Sequence, residues 1–459
     1  MNEEKIEEKI IMDGLRYNDV SLIPMYSNIN LEDICLKVKL TDEITLNAPI
    51  ISSPMDTVTE SRMAVAIARQ GGIGIIHSNM TLEEQKKEVD KVKRSEFGII
   101  KSPISLGPNH YIFEALALMS SYRISGIPIT EYDKLVGIVT NRDLRFENNV
   151  NKKIYEVITR ENLVTAHEGI SMEEAREILT IHKIEKLPII DKQGDLKGLI
   201  TTKDISKAIE YPNSAKDKDG RLFVCAAVPI DEEMLLRVEA LVSSHVDIIA
   251  IDTPHGHTEA SVNAVKKIKK AFPSLPIISG NICTSVAATD LIEAGVDVLR
   301  VGIGPGSMGQ TSLVSGVGMP QITAIMECAK IAKKYGKAIL ADGGIKQSGD
   351  IAKAIAAGAS SVIMGSLLAG CEECPGGVEL FEGIKYKKYR TSPHRILGGE
   401  LITEQNIEMQ EGRIAFKGAF KFIARDTIKG LKASMVYCGC KNIEELQTNA
   451  KFVKVIGNQ

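Results

Sequence analysis

The sequence predicts an α/β protein, a (β/α)8 barrel in which a second, smaller domain interrupts the chain after the second strand. Three observations predict this fold. Eight short apolar runs recur along the chain, amphipathic helical stretches separate most of them, and an internal repeat fills the long gap after the second run. Strands that alternate with helices are typical of a parallel sheet covered by its crossover helices. The pattern favours the barrel, with a doubly wound sheet as the alternative.

The eight apolar runs are mostly uninterrupted, which is typical of strands buried on both faces of a parallel sheet. They comprise residues 48–53, 72–77, 221–228, 246–252, 275–281, 296–302, 337–342 and 360–366. The helical stretches between them include residues 61–70, 258–271 and 286–294. Eight strand-and-helix units of this kind are the number that closes a barrel.

The inserted domain is predicted from the internal repeat. Residues 134–144 return as residues 196–205, and the Gly-Ile-Pro-Ile of 126–129 returns as Lys-Leu-Pro-Ile at 186–189. Each copy is typical of one small α/β unit that stacks on the other. We therefore expect residues 1–92 to be the first part of the barrel, residues 93–211 the inserted pair (copies 93–150 and 151–211), and residues 212–459 the remainder of the barrel.

The composition is typical of a soluble globular protein, and we expect a cytoplasmic location. The 459 residues are 44% hydrophobic and 25% charged, and a net charge of −3 argues against nucleic acid or a membrane as a partner. The charged N-terminus lacks the apolar core of a signal peptide, and no apolar run is long enough to span a bilayer. Eight cysteines in this context predict free thiols.

Small and polar residues follow five consecutive predicted strands, at the end of the barrel where such folds place their sites. These positions are Asp252 and residues 280–281, 302–307, 342–344 and 365–366. Glycines allow backbone N–H groups to approach an anion closely, and Ser307 adds a hydroxyl. One such turn would be an ordinary strand-to-helix connection. Five in succession indicate a nucleotide site.

Several segments carry a resemblance to a known family. Residues 13–24, 53–61, 71–80 and 302–312 resemble, in this order, motifs of the IMP dehydrogenase/GMP reductase family. The inserted repeat resembles the tandem CBS modules of the dehydrogenase branch. The resemblance implies a (β/α)8 barrel, a purine nucleoside monophosphate as ligand, NAD or NADP as cofactor, and assembly as a homotetramer or octamer.

The resemblance assigns roles in the nucleotide site to matching residues of this chain. The 5′-phosphate would be held by Ser307, Gly344, Gly365 and Ser366. Asp342 would accept both ribose hydroxyls, because a carboxylate can take two donors at once. Glu411 matches a residue near the purine N1 edge, and Thr311 matches the catalytic-loop threonine.

Cofactor and regulatory roles follow from the same resemblance. Asp252 matches the residue that contacts the nicotinamide ribose, and Asn281 would lie near the cofactor. In the inserted domain, an adenosine ribose would be held by Thr140 with Asp143 and by Thr201 with Asp204. The alternative is a duplicated structural domain without a ligand. His255 and His257 have a spacing that the family also shows without a metal, so no metal site is expected.

The chain departs from the family pattern where the chemistry occurs. Gly309 stands where the family has the cysteine that attacks the purine ring, and Ser312 stands where it usually has arginine. Residues 391–395 replace the usual Gly-Met-Gly-Ser of the flap, which lacks an Arg-Tyr dipeptide here. The chain ends at Gln459 without the extension that helps to complete a potassium site, so potassium dependence is not expected.

Another cysteine could replace the missing nucleophile. Cys283 follows the strand end at 280–281 and could lie near the base, although a free cysteine is more often a small buried residue. Cys371 and Cys374 have the spacing of a metal or redox pair, but zinc needs about four ligands. The pair alone therefore does not predict a metal site.

Three functions remain open at this point. The first is an enzyme that acts on an IMP-, XMP- or GMP-like nucleotide without the family's covalent thiolate step. The second is a catalytically inactive protein that senses purine nucleotides. The third is an NAD-dependent IMP dehydrogenase in which Cys283 or water takes the place of the lost cysteine.

Overall fold

Eight parallel strands form a closed barrel in the computed structural model, which describes residues 9–96, 100–101, 103–122, 124–159, 163–306, 312, 315–390 and 411–455. The strands are β1 (Ile50–Ser52), β2 (Ile73–Ile76), β3 (Val224–Val228), β4 (Ile248–Asp252), β5 (Ile277–Ile282), β6 (Val298–Val301), β7 (Ala338–Asp342) and β8 (Ser361–Met364). They pair in parallel in chain order, and β8 pairs with β1 to close the ring. The predicted barrel is confirmed, and the doubly wound alternative is wrong.

Eight helices alternate with the strands. They are α1 (Ser61–Arg69), α2 (Leu82–Lys93), α3 (Met234–Ser243), α4 (Glu259–Ala271), α5 (Ser285–Glu293), α6 (Gln321–Lys334), α7 (Ser348–Ala356) and α8 (Phe420–Cys438). Side-chain caps determine where several of these helices begin. Thr81, Thr258 and Thr284 each accept a hydrogen bond from the backbone N–H three residues further on. Among the described residues, none of the helices is both long and apolar enough to cross a membrane.

The strands are buried on both faces, which explains their uninterrupted apolar sequence. Every residue of β2, β3, β6 and β8 is buried. In β4 and β7 burial continues up to the last residue, Asp252 and Asp342 respectively, and both of these are partly exposed. The polar groups of the sheet therefore emerge at its carboxyl ends, where the barrel opens to a ligand.

Smaller elements complete the barrel unit. Antiparallel pairs join Val20–Leu22 to Phe452–Lys454 and Val38–Lys39 to Thr45–Leu46. A three-stranded sheet contains Glu379–Phe381, Ile384–Arg390 and Glu411–Ala415. Short 3-10 helices lie at Tyr17–Asp19 and Leu31–Asp33, and a further α-helix spans Ile443–Asn449.

The chain divides into two compact units. One contains Met1–Ser95, Asn213–Asp217 and Leu222–Gln459, and the other contains Glu96–Pro212 and Lys218–Arg221. The second unit has helices at Ile112–Tyr122, Asn141–Leu144, Met172–His182 and Thr202–Glu210, with a 3-10 helix at Ile154–Glu156. Its strands are Ile100–Lys101, Gly126–Glu131, Lys134–Thr140, Ala166–His167, Lys186–Ile190 and Leu196–Thr201.

The repeat of the second unit is visible in its strand pairing. Each copy builds an antiparallel hairpin, Gly126–Glu131 with Lys134–Thr140 and Lys186–Ile190 with Leu196–Thr201. The segment before the first copy, Ile100–Lys101, pairs with the second hairpin. The segment before the second copy pairs with the first hairpin through Thr159 and Ile138. Each hairpin therefore pairs with the segment that precedes the other copy, through a short strand in one case and a single bridge in the other.

Candidate functional site

The predicted site residues gather at one rim of the barrel, because the carboxyl ends of parallel strands all lie at the same end. In the strand register Asp252 lies beside Gly280, and Gly280 lies beside Arg300. Asp342, the last residue of β7, lies beside Ile363 of β8. Four neighbouring strands, β4 to β7, thus bring residues at or near their carboxyl ends together.

Arg300 connects these strand ends. It lies on β6, is 7% exposed, and donates from Nη1 to Asp252 Oδ1 at 2.6 Å and from Nε to Asp342 Oδ2 at 2.8 Å. Burial alone would lower the pKa of Arg300, but the charges of Asp342 and Asp252 outweigh it and hold this pKa above its usual value. A permanently charged guanidinium therefore fixes both carboxylates.

Asn281 fixes the same carboxylate from β5. Its Nδ2 donates to Asp342 Oδ2 at 2.9 Å and to the carbonyl of Gly302 at 2.7 Å. Among the described residues, the side-chain hydrogen bonds to the Asp342 carboxylate all reach Oδ2. The carboxylate is therefore oriented by two donors, and its Oδ1 can accept from a ligand.

Close packing of backbone against backbone explains the glycines beside Asp342. Gly302 has a φ of +144°, and a Cβ there would lie 2.0 Å from the Asp342 carbonyl. Gly344 has a φ of +80°, and a Cβ there would lie 3.1 Å from the ring of Tyr17. Gln321 donates to the carbonyls of Val301 and Asp342 and joins the two turns. These turns need glycine for both conformation and space.

The end of β8 borders the same rim. A Cβ on Gly365 would lie 3.1 Å from Met55 Sδ and 3.6 Å from the hydroxyl of Tyr389, a side chain that is 6% exposed. The carbonyl of Ser366 accepts a hydrogen bond from Lys417 Nζ at 2.9 Å. Gly365 therefore lies in a narrow space beside these two side chains, and the chain after it is held by a partly buried amine.

An ion pair holds the strand Ile384–Arg390 to the loop after β1. Arg390 Nε donates to both oxygens of Asp56, at 3.1 and 3.0 Å, and Asn79 Nδ2 donates to the same carboxylate at 2.7 Å. Arg390 also pairs in register with Glu411. The two ends of the segment 391–410 are thereby placed beside each other. The predicted role of Glu411 concerns its side chain, which lies outside the described part.

Several predicted residues cannot be placed. Ser307, Gly309 and Thr311 lie outside the described residues, as does the flap departure at 391–395. Ser312 is described, and its hydroxyl donates to the carbonyl of Gly304 at 3.4 Å. Their roles stay predictions.

Cys283 lies directly after β5 but is poorly suited to act as a nucleophile. It is 7% exposed, and burial raises its pKa to about 11. The thiolate is the reactive form of cysteine, so at neutral pH almost all of this side chain is the unreactive thiol. Cys283 reaches the correct end of the barrel, but its surroundings oppose the activation that nucleophilic catalysis needs.

The second unit contains a cavity of about 520 Å³ between its two copies. The first copy contributes Thr140 and Asp143 to the lining, and the Asp143 carboxylate accepts from the Thr140 N–H and hydroxyl, both at 2.7 Å. The second copy contributes Lys186, which is 9% exposed and donates to Ser125 at 2.9 Å. Arg142, Arg145 and Glu185 also line the cavity.

The matching pair in the second copy is built in the same way. Thr201 caps the helix Thr202–Glu210, and its hydroxyl donates to Asp204. Asp204 is 9% exposed, and burial raises its pKa. Thr201 and Asp204 therefore cap a helix. This contact is consistent with a structural role as well as with ligand binding.

Sequence reasoning missed several residues of the two sites: Arg300, Gln321, Tyr389 and Lys186. Arg300 and Lys186 each stand inside or beside an apolar run, where a cation must have a buried partner. That signal could have marked both positions. Gln321 and Tyr389 carry no comparable signal. Among the described residues, no group of three or more His, Cys, Asp or Glu side chains is placed to hold a metal ion.

Comparisons with known proteins agree with this geometry. The model of the IMP dehydrogenase / GMP reductase domain matches residues 14–458. The inosine-5′-monophosphate dehydrogenase of Halalkalibacterium halodurans is 51% identical over 461 residues, which cover 98% of this chain and 95% of that protein. The enzyme of Bacillus subtilis is 50% identical over 463 residues, with the same coverage.

A solved structure shows the same fold over almost the whole chain. A variant of GMP reductase from Trypanosoma brucei, in complex with guanosine 5′-monophosphate, matches with a TM-score of 0.87 at 36% identity. The match covers 98% of this chain and 97% of that one. The domain match, the identity of about one half and the shared fold together show that this chain belongs to the IMP dehydrogenase/GMP reductase family.

Proposed function

We propose that this protein binds a purine nucleoside monophosphate at the carboxyl rim of its barrel and acts on it without a covalent thiolate step. The observation that carries the proposal is the Asp342 carboxylate. Arg300 and Asn281 hold its Oδ2 at 2.8 and 2.9 Å, so Oδ1 is oriented for the hydroxyls of a ribose. We place the 5′-phosphate at the turns of Gly344 and Gly365, where neighbours at 3.1 Å would crowd a Cβ and glycine keeps the backbone accessible.

The named relatives support this class of ligand. The proteins that are 50 and 51% identical are inosine-5′-monophosphate dehydrogenases, and the GMP reductase variant was solved with guanosine 5′-monophosphate at 36% identity. IMP is the first substrate to test, because the dehydrogenases have the higher identity. A cytoplasmic enzyme of purine nucleotide metabolism fits both relatives.

The residues at the rim fit NAD as the second substrate. Asp252 is partly exposed, and the hydrogen bond from Arg300 orients its carboxylate, which suits the hydroxyls of a nicotinamide ribose. When bound, the nicotinamide supplies a hydride acceptor. Asn281 donates hydrogen bonds to Asp342 and to the Gly302 carbonyl. It thereby fixes the position of the nucleotide side of the site relative to Asp252. The rim would thereby hold two reactants side by side.

The proposal that no thiolate takes part depends on position 309, where this chain has glycine. Glycine has no nucleophile, and burial keeps Cys283 as a neutral thiol. We propose that water attacks C2 of the purine directly, so that a C–O bond forms, the hydride on C2 passes to NAD and one proton is released. The site accelerates this slow step by holding the reactants together. An inactive nucleotide sensor is the second candidate, favoured by the joint changes at Gly309, Ser312 and residues 391–395.

The test is to incubate the purified protein with IMP and NAD and to measure NADH together with nucleotide products by mass spectrometry. We expect tight IMP binding by calorimetry and slow turnover. Gly309→Cys should raise the rate at least about a hundredfold, because it restores a nucleophile. Gly309→Ala is the matched control, since it adds a side chain without sulfur.

Each outcome separates the candidates. Binding without any product favours the sensor. Turnover that Cys283→Ala abolishes favours a relocated nucleophile and contradicts the proposal, and a rate unchanged in Cys283→Ala supports direct attack by water. Failure to bind any purine monophosphate contradicts both the enzyme and the sensor.

A second binding function is proposed for the inserted unit, where the cavity of about 520 Å³ has the chemistry of an adenine nucleotide site. Asp143 suits ribose hydroxyls, and Arg142, Arg145 and Lys186 supply cations for phosphates. Calorimetry with AMP and ATP tests this proposal. The chain's assembly as a homotetramer or octamer remains a prediction, which light scattering would check.

A further inference from the structure

Two cysteines lie on the turn that follows the β8 rim. Cys371 and Cys374 are 0% and 1% exposed, and the N–H of Cys374 donates to the carbonyl of Cys371 at 3.3 Å. A hydrogen bond also joins their side chains. The Cα atoms of residues three apart in such a turn lie within about 7 Å of each other, which overlaps the range that a disulfide spans. The pair can therefore close into a disulfide without a large movement of the backbone.

The interaction between the two thiols and one buried lysine give the two sulfurs different chemistry. Lys387 is 2% exposed and donates to the carbonyls of Glu372, at 3.2 Å, and Cys374. The hydrogen bond from Cys371 and the charge of Lys387 hold the pKa of Cys374 below its usual value. The same hydrogen bond, together with burial, raises the pKa of Cys371. Cys374 is thus the more readily ionised sulfur and Cys371 its protonated partner.

The thiol of Cys374 supports the turn that follows the rim residue Gly365. Its Sγ donates to the carbonyl of Leu368 at 3.2 Å. The N–H groups of Leu368 and Ala369 donate in turn to the carbonyl of Gly365, at 3.0 and 2.9 Å. The proton on Cys374 therefore supports the turn that begins at Gly365.

We propose that Cys371 and Cys374 form a dithiol that a peroxide oxidises to a disulfide when opening of the turn exposes its sulfurs, and that this oxidation alters the rim through Leu368. The Cys374 thiolate attacks one oxygen of hydrogen peroxide, so an S–O bond forms, the O–O bond breaks, and the departing hydroxide takes up a proton. The Cys371 sulfur then attacks the sulfenic acid of Cys374. The S–S bond forms, the S–O bond breaks, and the hydroxide leaves with the Cys371 proton as water.

The balance of the two steps is simple. Two thiols lose two electrons and two protons, and one peroxide becomes two waters. In the disulfide Cys374 has no proton, so the donor to the Leu368 carbonyl is lost. The short turn between Gly365 and Leu368 must then rearrange or leave that carbonyl without this partner.

The experiment treats the full chain with hydrogen peroxide, alkylates the remaining thiols and digests with trypsin. Residues 354–385 form one tryptic peptide with both Cys371 and Cys374 and none of the other six cysteines. We expect this peptide to lose two hydrogens and its alkylation, and dithiothreitol to restore both. The peptide 433–441 carries Cys438 and Cys440 and is the internal control, because burial raises the pKa of both thiols.

The control peptide should remain fully alkylated at the peroxide dose that oxidises the first. Oxidation of both peptides at one rate would show general unfolding and overturn the proposal, as would complete alkylation of 354–385. Cys371→Ser should accumulate a sulfenic acid on Cys374, trapped by dimedone. Cys374→Ser should leave Cys371 reduced, and rapid oxidation of that variant would overturn the assigned order.

The effect on the rim rests on the proposed function and has its own readout. We expect oxidation to weaken IMP binding at least severalfold in the wild type and to leave it unchanged in Cys374→Ser. Equal IMP affinity of the reduced and oxidised wild type would overturn the link through Leu368. If IMP does not bind at all, the proposed function fails, while the peptide assay still decides whether the dithiol exists.

Discussion

Arg300 Nε donates to Asp342 Oδ2 at 2.8 Å, and this contact fixes the carboxylate at the centre of the rim. We expect Arg300→Met to weaken IMP binding at least about tenfold and to lower the free energy of unfolding by about 3–5 kcal/mol, because Asp342 and Asp252 lose their buried cation. Calorimetry and urea unfolding measure the two effects. Arg300→Lys should have an IMP affinity and a stability between those of the unaltered protein and of Arg300→Met, since an ammonium lacks the planar fork that spans both carboxylates.

Arg237 provides the matched control for Arg300. It is 8% exposed on α3 and donates to Gln85 Oε1 at 2.9 Å and to the Met80 carbonyl at 3.3 Å. Arg237→Met should also lower stability, because it removes a buried cation that is hydrogen-bonded. It should leave the IMP affinity of the folded protein unchanged. Equal losses of affinity in both variants would mean that Arg300 acts through stability alone.

Arg300 also shows which part of the site a sequence can and cannot predict. The strands were predictable because strands buried on both faces leave uninterrupted apolar runs, and Asp252 and Asp342 were predictable because they end such runs. Arg300 bonds to partners 48 and 42 residues away. These contacts depend on the order of strands around the closed barrel, which periodicity does not encode.

A second buried cation holds the amino-terminal side of the barrel unit. Lys93 is 3% exposed, and its Nζ lies 2.6 Å from Asp247 Oδ2, 3.1 Å from Asp217 Oδ2 and 3.0 Å from the Leu222 carbonyl. Lys93→Met should destabilise the protein by about 3–5 kcal/mol, because it removes the buried cation that both carboxylates contact. Urea unfolding followed by circular dichroism measures this loss.

Lys91 is the control for Lys93 from the same helix. Its side chain is 62% exposed and paired with Glu88, so Lys91→Met should cost less than about 1 kcal/mol. A similar loss of unfolding free energy in Lys91→Met and Lys93→Met would contradict the argument that burial makes the Lys93 contacts the more stabilising ones.

The Lys93→Met deficit should also depend on pH. Burial raises the pKa of Asp247 from 3.8 to about 6. The stabilisation from protonating Asp247 is therefore present below pH 3.8 and is lost as pH rises through about 6. The loss of unfolding free energy caused by Lys93→Met should be larger at pH 8 than at pH 5, because a protonated Asp247 carries no charge for Lys93 to balance.

The two copies of the inserted unit should differ in nucleotide binding. Asp143 lines the cavity of about 520 Å³ with Arg142 and Lys186. Asp143→Ala should weaken AMP binding at least about tenfold, because ribose hydroxyls lose a charged acceptor. Lys186→Met should weaken ATP binding more than AMP binding, because it removes a cation suited to phosphates. Calorimetry on the full-length variants measures both.

Asp204→Ala is the comparison for Asp143→Ala. Asp204 forms the same helix-capping contacts with Thr201, but burial raises its pKa, which opposes a charged acceptor there. We expect a smaller loss of affinity at this copy than at Asp143. A larger loss for Asp204→Ala would assign the nucleotide to the second copy instead.

The pH dependence of Cys283 tests whether it can serve as the nucleophile. Because burial raises its pKa from 9.0 to about 11, its thiolate fraction should grow about tenfold per pH unit up to that value. Alkylation of the tryptic peptide 271–300, which carries no other cysteine, should rise accordingly between pH 7 and pH 10, while exposed Cys35 reacts readily at neutral pH.

The sign of the corresponding effect on stability follows from the direction of this shift. The folded protein favours the protonated Cys283 thiol, so the stabilisation is complete below pH 9, the pKa of an exposed thiol here, and is lost as pH rises through about 11. Cys283→Ala should remove this alkaline loss of stability and leave turnover of IMP unchanged at pH 8. Rapid alkylation of peptide 271–300 at pH 7, with protection by IMP, would instead show an activated thiolate in the nucleotide site and would favour the relocated nucleophile.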